Sequence, residues 1–185
     1  MKSLLFVGLP GAGKGTQARI VAEKIGSAYV SSGELFRSLM QEDTPLARRV
    51  KVTHDTGMLQ PHWLATYLFQ RTVFGLEKDQ GVVLDGFGRT VPEAEVVSET
   101  FPWLGRELVV IHLDIDAATM NERVAHRREV SDRADDLHAD ARLAEYTEHT
   151  APALEVFRKQ AKVIDIDGAQ EKEKVTENIM TVLQA

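Results

Sequence analysis

Gly8-Leu9-Pro10-Gly11-Ala12-Gly13-Lys14-Gly15-Thr16 follows directly on the apolar run Leu4-Leu5-Phe6-Val7 and leads straight into a stretch of helical period. A strand that turns through glycines into a helix gathers backbone N–H groups and a helix N-terminus around one point, which is what a polyphosphate needs. Lys14 supplies a mobile positive charge, and Thr16 a hydroxyl for the magnesium ion that travels with a nucleotide. Gly8, Gly13 and Lys14 fit P-loop spacing, but the hydroxyl comes one residue late because Gly15 intervenes. A glycine turn that merely connects two elements seldom carries a lysine here, so we read a phosphate cradle.

Working outward, short continuous apolar runs recur as Ala28-Tyr29-Val30, Gly81 to Leu84, Leu108 to Leu113 and Lys162 to Ile166. Such runs are strands covered on both faces. Helical period fills Lys14 to Ile25, Pro61 to Phe74, Pro92 to Glu99, Ala117 to Arg128, Ala134 to Gln160 and Glu171 to Leu183. Strands alternating with helices mean right-handed βαβ crossovers. The expected fold is α/β: a P-loop NTPase fold with a five-stranded parallel sheet and helices on both faces. Two stretches break the alternation. Gly33 to Met40 and Pro45 to Thr56 are helical with no strand between them, which predicts a helical insertion, residues 31–60, over the carboxyl edge of the sheet. Residues 126–136 are almost all polar and carry Arg127, Arg128 and Arg133, the length and character of a short lid loop. The remaining segments, 1–30, 61–125 and 137–185, form the core of a single domain.

Composition narrows the class. The chain has 185 residues, 43% apolar and 27% charged, enough for one full core. Its net charge of −6 argues against a surface that grips a nucleic-acid backbone. With no cysteine, disulfides and thiolate zinc sites are excluded. The N-terminal apolar stretch is too short for a signal-peptide core, and no run of eighteen apolar residues exists. We expect a soluble protein of the cytoplasm that binds neither nucleic acid nor membrane and acts as a monomer.

Val82-Val83-Leu84-Asp85-Gly86 delivers a carboxylate to the carboxyl edge of the sheet, where P-loop proteins hold magnesium. A strand-end aspartate also serves as a turn cap, and the P-loop upstream favours the metal reading. Asp85-Gly86-Phe87-Gly88 matches the D-x-x-G of GTPase switches, but Asn121 and Asn178 are followed by Glu and Ile, so no guanine-reading Asn-Lys-x-Asp exists. Arginines form the third set: Arg37, Arg89, Arg123, Arg127, Arg133 and Arg142. Phosphoryl transfer needs donors on the equatorial oxygens more than covalent chemistry, and the planar, always charged guanidinium suits that task. Taken singly, each arginine reads as a solvated helix face; its position relative to the P-loop decides its role. The six histidines, His54, His62, His112, His126, His138 and His149, show no ligand spacing, and His112 reads as a hydrogen-bonded core residue.

Together these segments resemble the adenylate kinase family of nucleoside monophosphate kinases. The resemblance rests on GLPGAGKGTQ with its late threonine, SSGELFR, TGMLQP, LDGFGRT, the run from Glu122-Arg123 to Arg127, DRADD, RLAEY followed by TAP, and IDG. The short polar stretch resembles the family's short-lid variant. The resemblance implies that Gly11, Ala12, Gly13, Lys14, Gly15 and Thr16 cradle the phosphates of ATP. It also implies that Arg123, Arg127 and the backbone of Gln170 hold the rest of that nucleotide. Asp85 and Thr16 would stand near magnesium, mainly through water. The monophosphate, AMP, would meet Ser32, Arg37, Met58, Leu59, Gln60, Gly86, Phe87, Gly88, Arg89, Glu93, Arg133 and Arg142. Lys14, Arg89, Arg123, Arg133 and Arg142 would serve catalysis, with Arg133 and Arg142 over the transferred group. The implied reaction is ATP plus AMP giving two ADP.

Three positions depart from the family pattern. The family's Asp-Gly-Phe-Pro-Arg reads Asp85-Gly86-Phe87-Gly88-Arg89. A cis peptide costs about 2.5–4 kcal/mol before a residue other than proline, so Gly88 either bears that strain or lets the loop run trans with a less rigidly aimed Arg89. Arg133 and Arg142 stand two residues closer than the family spacing. Glu93 replaces the usual glutamine, and an ionised carboxylate accepts only, which suits guanine's paired donors better than adenine's ring nitrogen. Yet Thr90-Val91-Pro92-Glu93 is also a capping box, in which Glu93 turns back on its own helix and reads no base. Three alternatives therefore stay open beside AMP: a preference for GMP, a broad acceptor range, or a nucleotide-binding regulatory module without turnover. A small-molecule kinase of the shikimate type is a nearer rival, against which SSGELFR and DGFGRT speak.

Overall fold

The structure is a computed structural model that describes residues 2–130 and 139–184. Five strands form one parallel sheet: β1 (Lys2–Gly8), β2 (Ala28–Ser31), β3 (Val82–Asp85), β4 (Glu107–Asp114) and β5 (Lys162–Asp167), in the order β2-β3-β1-β4-β5. The expected parallel α/β architecture is therefore present. β1 is central, with Leu5 paired to Leu84 on one side and to Val110 on the other. Its alternating side chains feed two separate cores. Leu5 and Val7 join Leu84, Val110, Phe69, Phe87, Phe101 and Phe157 on one face. Leu4 and Phe6 join Val83, Ile111, Leu113, Ala18, Val21 and Ile179 on the other.

Helices α1 (Lys14–Ile25), α6 (Ala117–Val130) and α9 (Lys172–Gln184) supply the second core. On the opposite face stand α4 (His62–Phe74), α5 (Val91–Trp103) and α8 (Ala151–Gln160), where Phe69 meets Phe87 and Phe101 with ring centroids 6.0 and 5.8 Å apart. The helical insertion contains α2 (Ser32–Leu39) and α3 (Pro45–Asp55). Thr44 caps α3 by accepting from Ala47 N, and Pro45 opens that helix where its missing N–H costs nothing.

Three helices differ from expectation by two residues or more. α5 runs to Trp103, through Pro102, because Phe101 is fully buried and Leu104 N still finds Thr100 O. α6 runs to Val130, two residues beyond the periodic stretch. The long helix expected over residues 134–160 is described as α7 (Ala139–Glu145), one π turn (Tyr146–Thr150) and α8. Arg133, and residues 131–136 of the expected lid, lie outside the described residues.

Candidate active site

The loop between β1 and α1 is held open by glycine. Gly13, the residue before α1, sits at φ 86°, and neither a side-chain cap nor an acidic residue occupies the first turn of that helix. Uncapped N–H groups and the positive end of the helix dipole therefore face the cleft. Lys14 Nζ donates to Gly8 O and Leu9 O, each at 2.8 Å, which lays its ammonium along the loop.

The strand-end aspartate meets this loop from the side. A Cβ on Gly15 would stand 3.1 Å from Asp85 Oδ2 and 3.7 Å from Tyr29 Oη. Gly15, the residue that delays the hydroxyl, thus gives the carboxylate room to approach. Tyr29 Oη donates to Asp85 Oδ2 at 3.3 Å, and the Arg19 guanidinium lies 4.2 Å from the centre of the Tyr29 ring while pairing with Glu34. Burial, and next the Asp85 charge, push the Tyr29 phenol up, so it stays a donor. Sequence reasoning passed over Tyr29 as a strand residue and Arg19 as a helix residue.

A cleft of about 360 Å³ runs from Gly11, Gly13, Lys14, Gly15 and Thr16 to the helical insertion. Ser32, Arg37, Met58, Leu59, Gln60, Asp85, Gly86, Arg89, Glu93 and Arg142 line it as well, so most residues named from the sequence share one space. Several are pinned there. Ser32 Oγ donates to Gly86 O at 2.7 Å, Gln60 Nε2 to Val50 O at 2.9 Å, and Arg89 Nε to Gly86 O at 2.9 Å. The last of these fixes the guanidinium of Arg89 beside its own turn.

That turn contains no cis bond; the described residues hold none. Gly88 instead adopts φ 66°, and a Cβ there would fall 2.6 Å from Phe157 Cζ. Gly88 therefore faces the core, and buried Phe87 packs on Phe69 and borders a smaller cavity beneath Lys14 and Arg142. Arg123 and Gln170 meet at another edge. Arg123 donates to Gly168 O and Ala169 O at 2.8 and 3.1 Å, while the Gln170 amide is tied to Asp167 and Asn178, leaving its backbone. Arg127 falls within α6, and its side chain lies outside the described residues.

Glu93 is 4% exposed. Its Oε2 accepts from Arg89 N and its Oε1 from Thr90 Oγ1, each at 3.0 Å. Burial pushes its carboxyl up, against the pull of these hydrogen bonds. Across the cleft, Glu145 Oε2 accepts from Leu59 N at 3.3 Å, a contact between α7 and the insertion that no residue pattern signalled.

A phosphate loop, a strand-end carboxylate and a helical insertion enclosing one cleft define a nucleoside monophosphate kinase of the P-loop class. The chain matches the family model for adenylate kinase over residues 6–162. It is 34% identical over 185 residues to an adenylate kinase of Thermobifida fusca, covering 98% of each chain. It is 33% identical over 187 residues to an adenylate kinase of Flavobacterium johnsoniae, covering 99% of this chain and 98% of that one. The chain belongs to the adenylate kinase family.

Proposed function

We propose that the protein transfers a phosphoryl group reversibly from ATP to AMP, giving two ADP, with magnesium as the accompanying ion. The observation that carries this reading is the single cleft that has the phosphate loop at one end and Ser32, Arg37, Arg89 and Glu93 at the other. The loop N–H groups and Lys14 take the donor's phosphates. Arg89 takes the acceptor's phosphate, and Arg142, which lines the space between, neutralises charge on the group in flight. Arg123, beside the turn that bears Gln170, holds the outer part of ATP.

The residues fit magnesium. Asp85 and Thr16 offer hard oxygen donors, and among the described residues no group of three or more His, Cys, Asp or Glu could hold a metal ion. One carboxylate plus substrate phosphates is the usual setting for this ion. Bound there, magnesium would neutralise the phosphate oxygens and draw them into line.

AMP is favoured over GMP because both oxygens of Glu93 already accept from its own turn, as a helix cap would. A raised carboxyl also keeps within reach the protonated form, which donates to an adenine ring nitrogen. The test is a coupled assay with ATP, magnesium and each monophosphate in turn. AMP turning over fastest supports the reading. GMP faster than AMP overturns the acceptor, and ATP binding without transfer to any monophosphate overturns the activity. The same reading makes the protein a cytoplasmic monomer, and sedimentation of the purified chain checks its mass in solution.

A further inference from the structure

His112 stands on β4 at 7% exposure, which is costly for an imidazole unless both ring nitrogens are satisfied. Both are. Nδ1 lies 2.8 Å from Asp165 Oδ1 on β5, the residue paired directly with His112 in the sheet. Nε2 lies 3.4 Å from Tyr146 Oη. Asp165 is gripped in turn by Arg158 of α8, through Nη1 at 2.9 Å and Nη2 at 2.7 Å.

Charge sets the direction of the bonds to Asp165. The Arg158 hydrogen bonds hold the Asp165 carboxyl down at about 2, so it is an acceptor at neutral pH. His112 Nδ1 must therefore donate to it, which leaves Nε2 to pair with the Tyr146 hydroxyl. Burial, and next the charge of Asp114, push that phenol up and keep its proton in place. Among the described residues, Asp165, Arg158 and Asp114 are the charged groups that act on His112 and Tyr146.

Tyr146 is also the first residue of the π turn, whose wider ring closes from Ala151 N to Tyr146 O. Such turns inside α-helices cluster at functional sites. Arg142 precedes Tyr146 by four residues, on the same face of the helix, and both line the small cavity beneath Lys14 and Arg89. Glu145, one residue before the turn, reaches across to Leu59 N.

We propose that His112 is a positioning residue. Through the contact of its Nε2 with the Tyr146 hydroxyl it fixes the π turn, and thereby aims Arg142 and Glu145 into the cleft. This rests on the reading of the cleft as a phosphoryl-transfer site.

The experiment compares the parent with Tyr146→Phe, His112→Asn, His112→Gln and the double variant His112→Asn/Tyr146→Phe. The Gln amide reaches the place of Nε2, whereas the shorter Asn amide reaches only that of Nδ1. Tyr146→Phe and His112→Asn should each lower kcat about three- to tenfold, the net worth of one hydrogen bond, with KM for ATP and AMP within about twofold. The double variant should fall no further than either single one, and His112→Gln should stay within about twofold of the parent. Unchanged kcat in both single variants, effects that multiply, or a His112→Gln loss equal to that of His112→Asn overturns the proposal. The imidazole nitrogens of His112, followed by NMR, give a readout apart from activity: the Nε2 resonance should shift in Tyr146→Phe. A parent with no turnover sinks the kinase reading instead; the resonance alone then decides, and an unmoved Nε2 overturns the contact.

Discussion

Tyr29 Oη donates to Asp85 Oδ2 at 3.3 Å, across the paired strands β2 and β3. Removing that donor with Tyr29→Phe leaves Asp85 without a fixed orientation. We expect a loss of about 0.5–1.5 kcal/mol in stability and a higher magnesium concentration for half-maximal rate, with kcat at saturating magnesium nearly unchanged. Urea unfolding and a magnesium titration measure the two effects. An unaltered magnesium requirement would remove Tyr29 from the metal side of the site.

Lys14 and Arg89 lie at different ends of the cleft and should fail differently. Lys14→Ala removes a charge from the donor end and should cut kcat by about a hundredfold or more. Arg89→Ala removes charge-assisted hydrogen bonds worth about 1.5–3 kcal/mol from the acceptor end. KM for the monophosphate should then rise at least about tenfold, while KM for ATP moves little. Steady-state kinetics with each substrate varied separate the two patterns.

Gly88 has no room for a side chain and holds φ at 66°. Gly88→Ala should cost about 1–3 kcal/mol from overpacking against Phe157, plus about 1–2 kcal/mol from the left-handed backbone. Gly88→Pro, which restores the family residue, demands φ near −65° and should be worse. A Phe157→Leu background should relieve part of the alanine cost but none of the backbone strain, as a double-mutant cycle in chemical denaturation would show.

Glu93→Gln tests the acceptor and the fold together. The raised folded carboxyl means that the native state binds the proton more tightly than the unfolded chain. The contribution of Glu93 to parent stability is therefore greatest at low pH and is lost as pH climbs above the ordinary glutamate range. The variant lacks this loss, so its melting temperature should gain on the parent's with rising pH. Its preference for AMP over GMP should stay that of the parent, because both Glu93 oxygens are engaged by their own turn; a marked shift toward AMP would show that Glu93 reads the base.

Asp165 carries the opposite sign. Held at about 2 by Arg158, its ionised form stabilises the native state above 3.8, and that contribution fades as pH falls toward 2. The stability difference between parent and Arg158→Ala should be complete near neutrality and shrink in acid. Half exposed, with 51% of its side chain in solvent, Asp165 should give a small effect.

Where one residue type had to satisfy one local rule, the fold could be read before it was seen. The apolar run before Gly8 and the Lys14-to-Ile25 period placed the phosphate loop, and Val82 to Asp85 placed the carboxylate, because each pattern is complete within a few residues. What stayed hidden depends on register across the sheet. Tyr29 reaches Asp85 only because Ser31 pairs with Asp85, and His112 reaches Asp165 only because those two residues pair. The π turn at Tyr146–Thr150 left no mark on the helical period, since it shifts by one residue a stretch whose outer positions are polar. The helical period from Pro92 was legible only to Glu99, whereas α5 runs on through Pro102 to Trp103 with Phe101 buried.

The strand order has a consequence for how the molecule comes into being. β1 comes before the other four strands in the chain yet occupies the middle of the sheet, with neighbours that begin at residues 82 and 107. Its backbone can complete the ladder to β3 only once Asp85 has been made and the ladder to β4 only once Leu113 has, and such long-range closures slow folding. The strand that leads into the phosphate loop thus precedes both of its partners in the chain and is among the last to be secured.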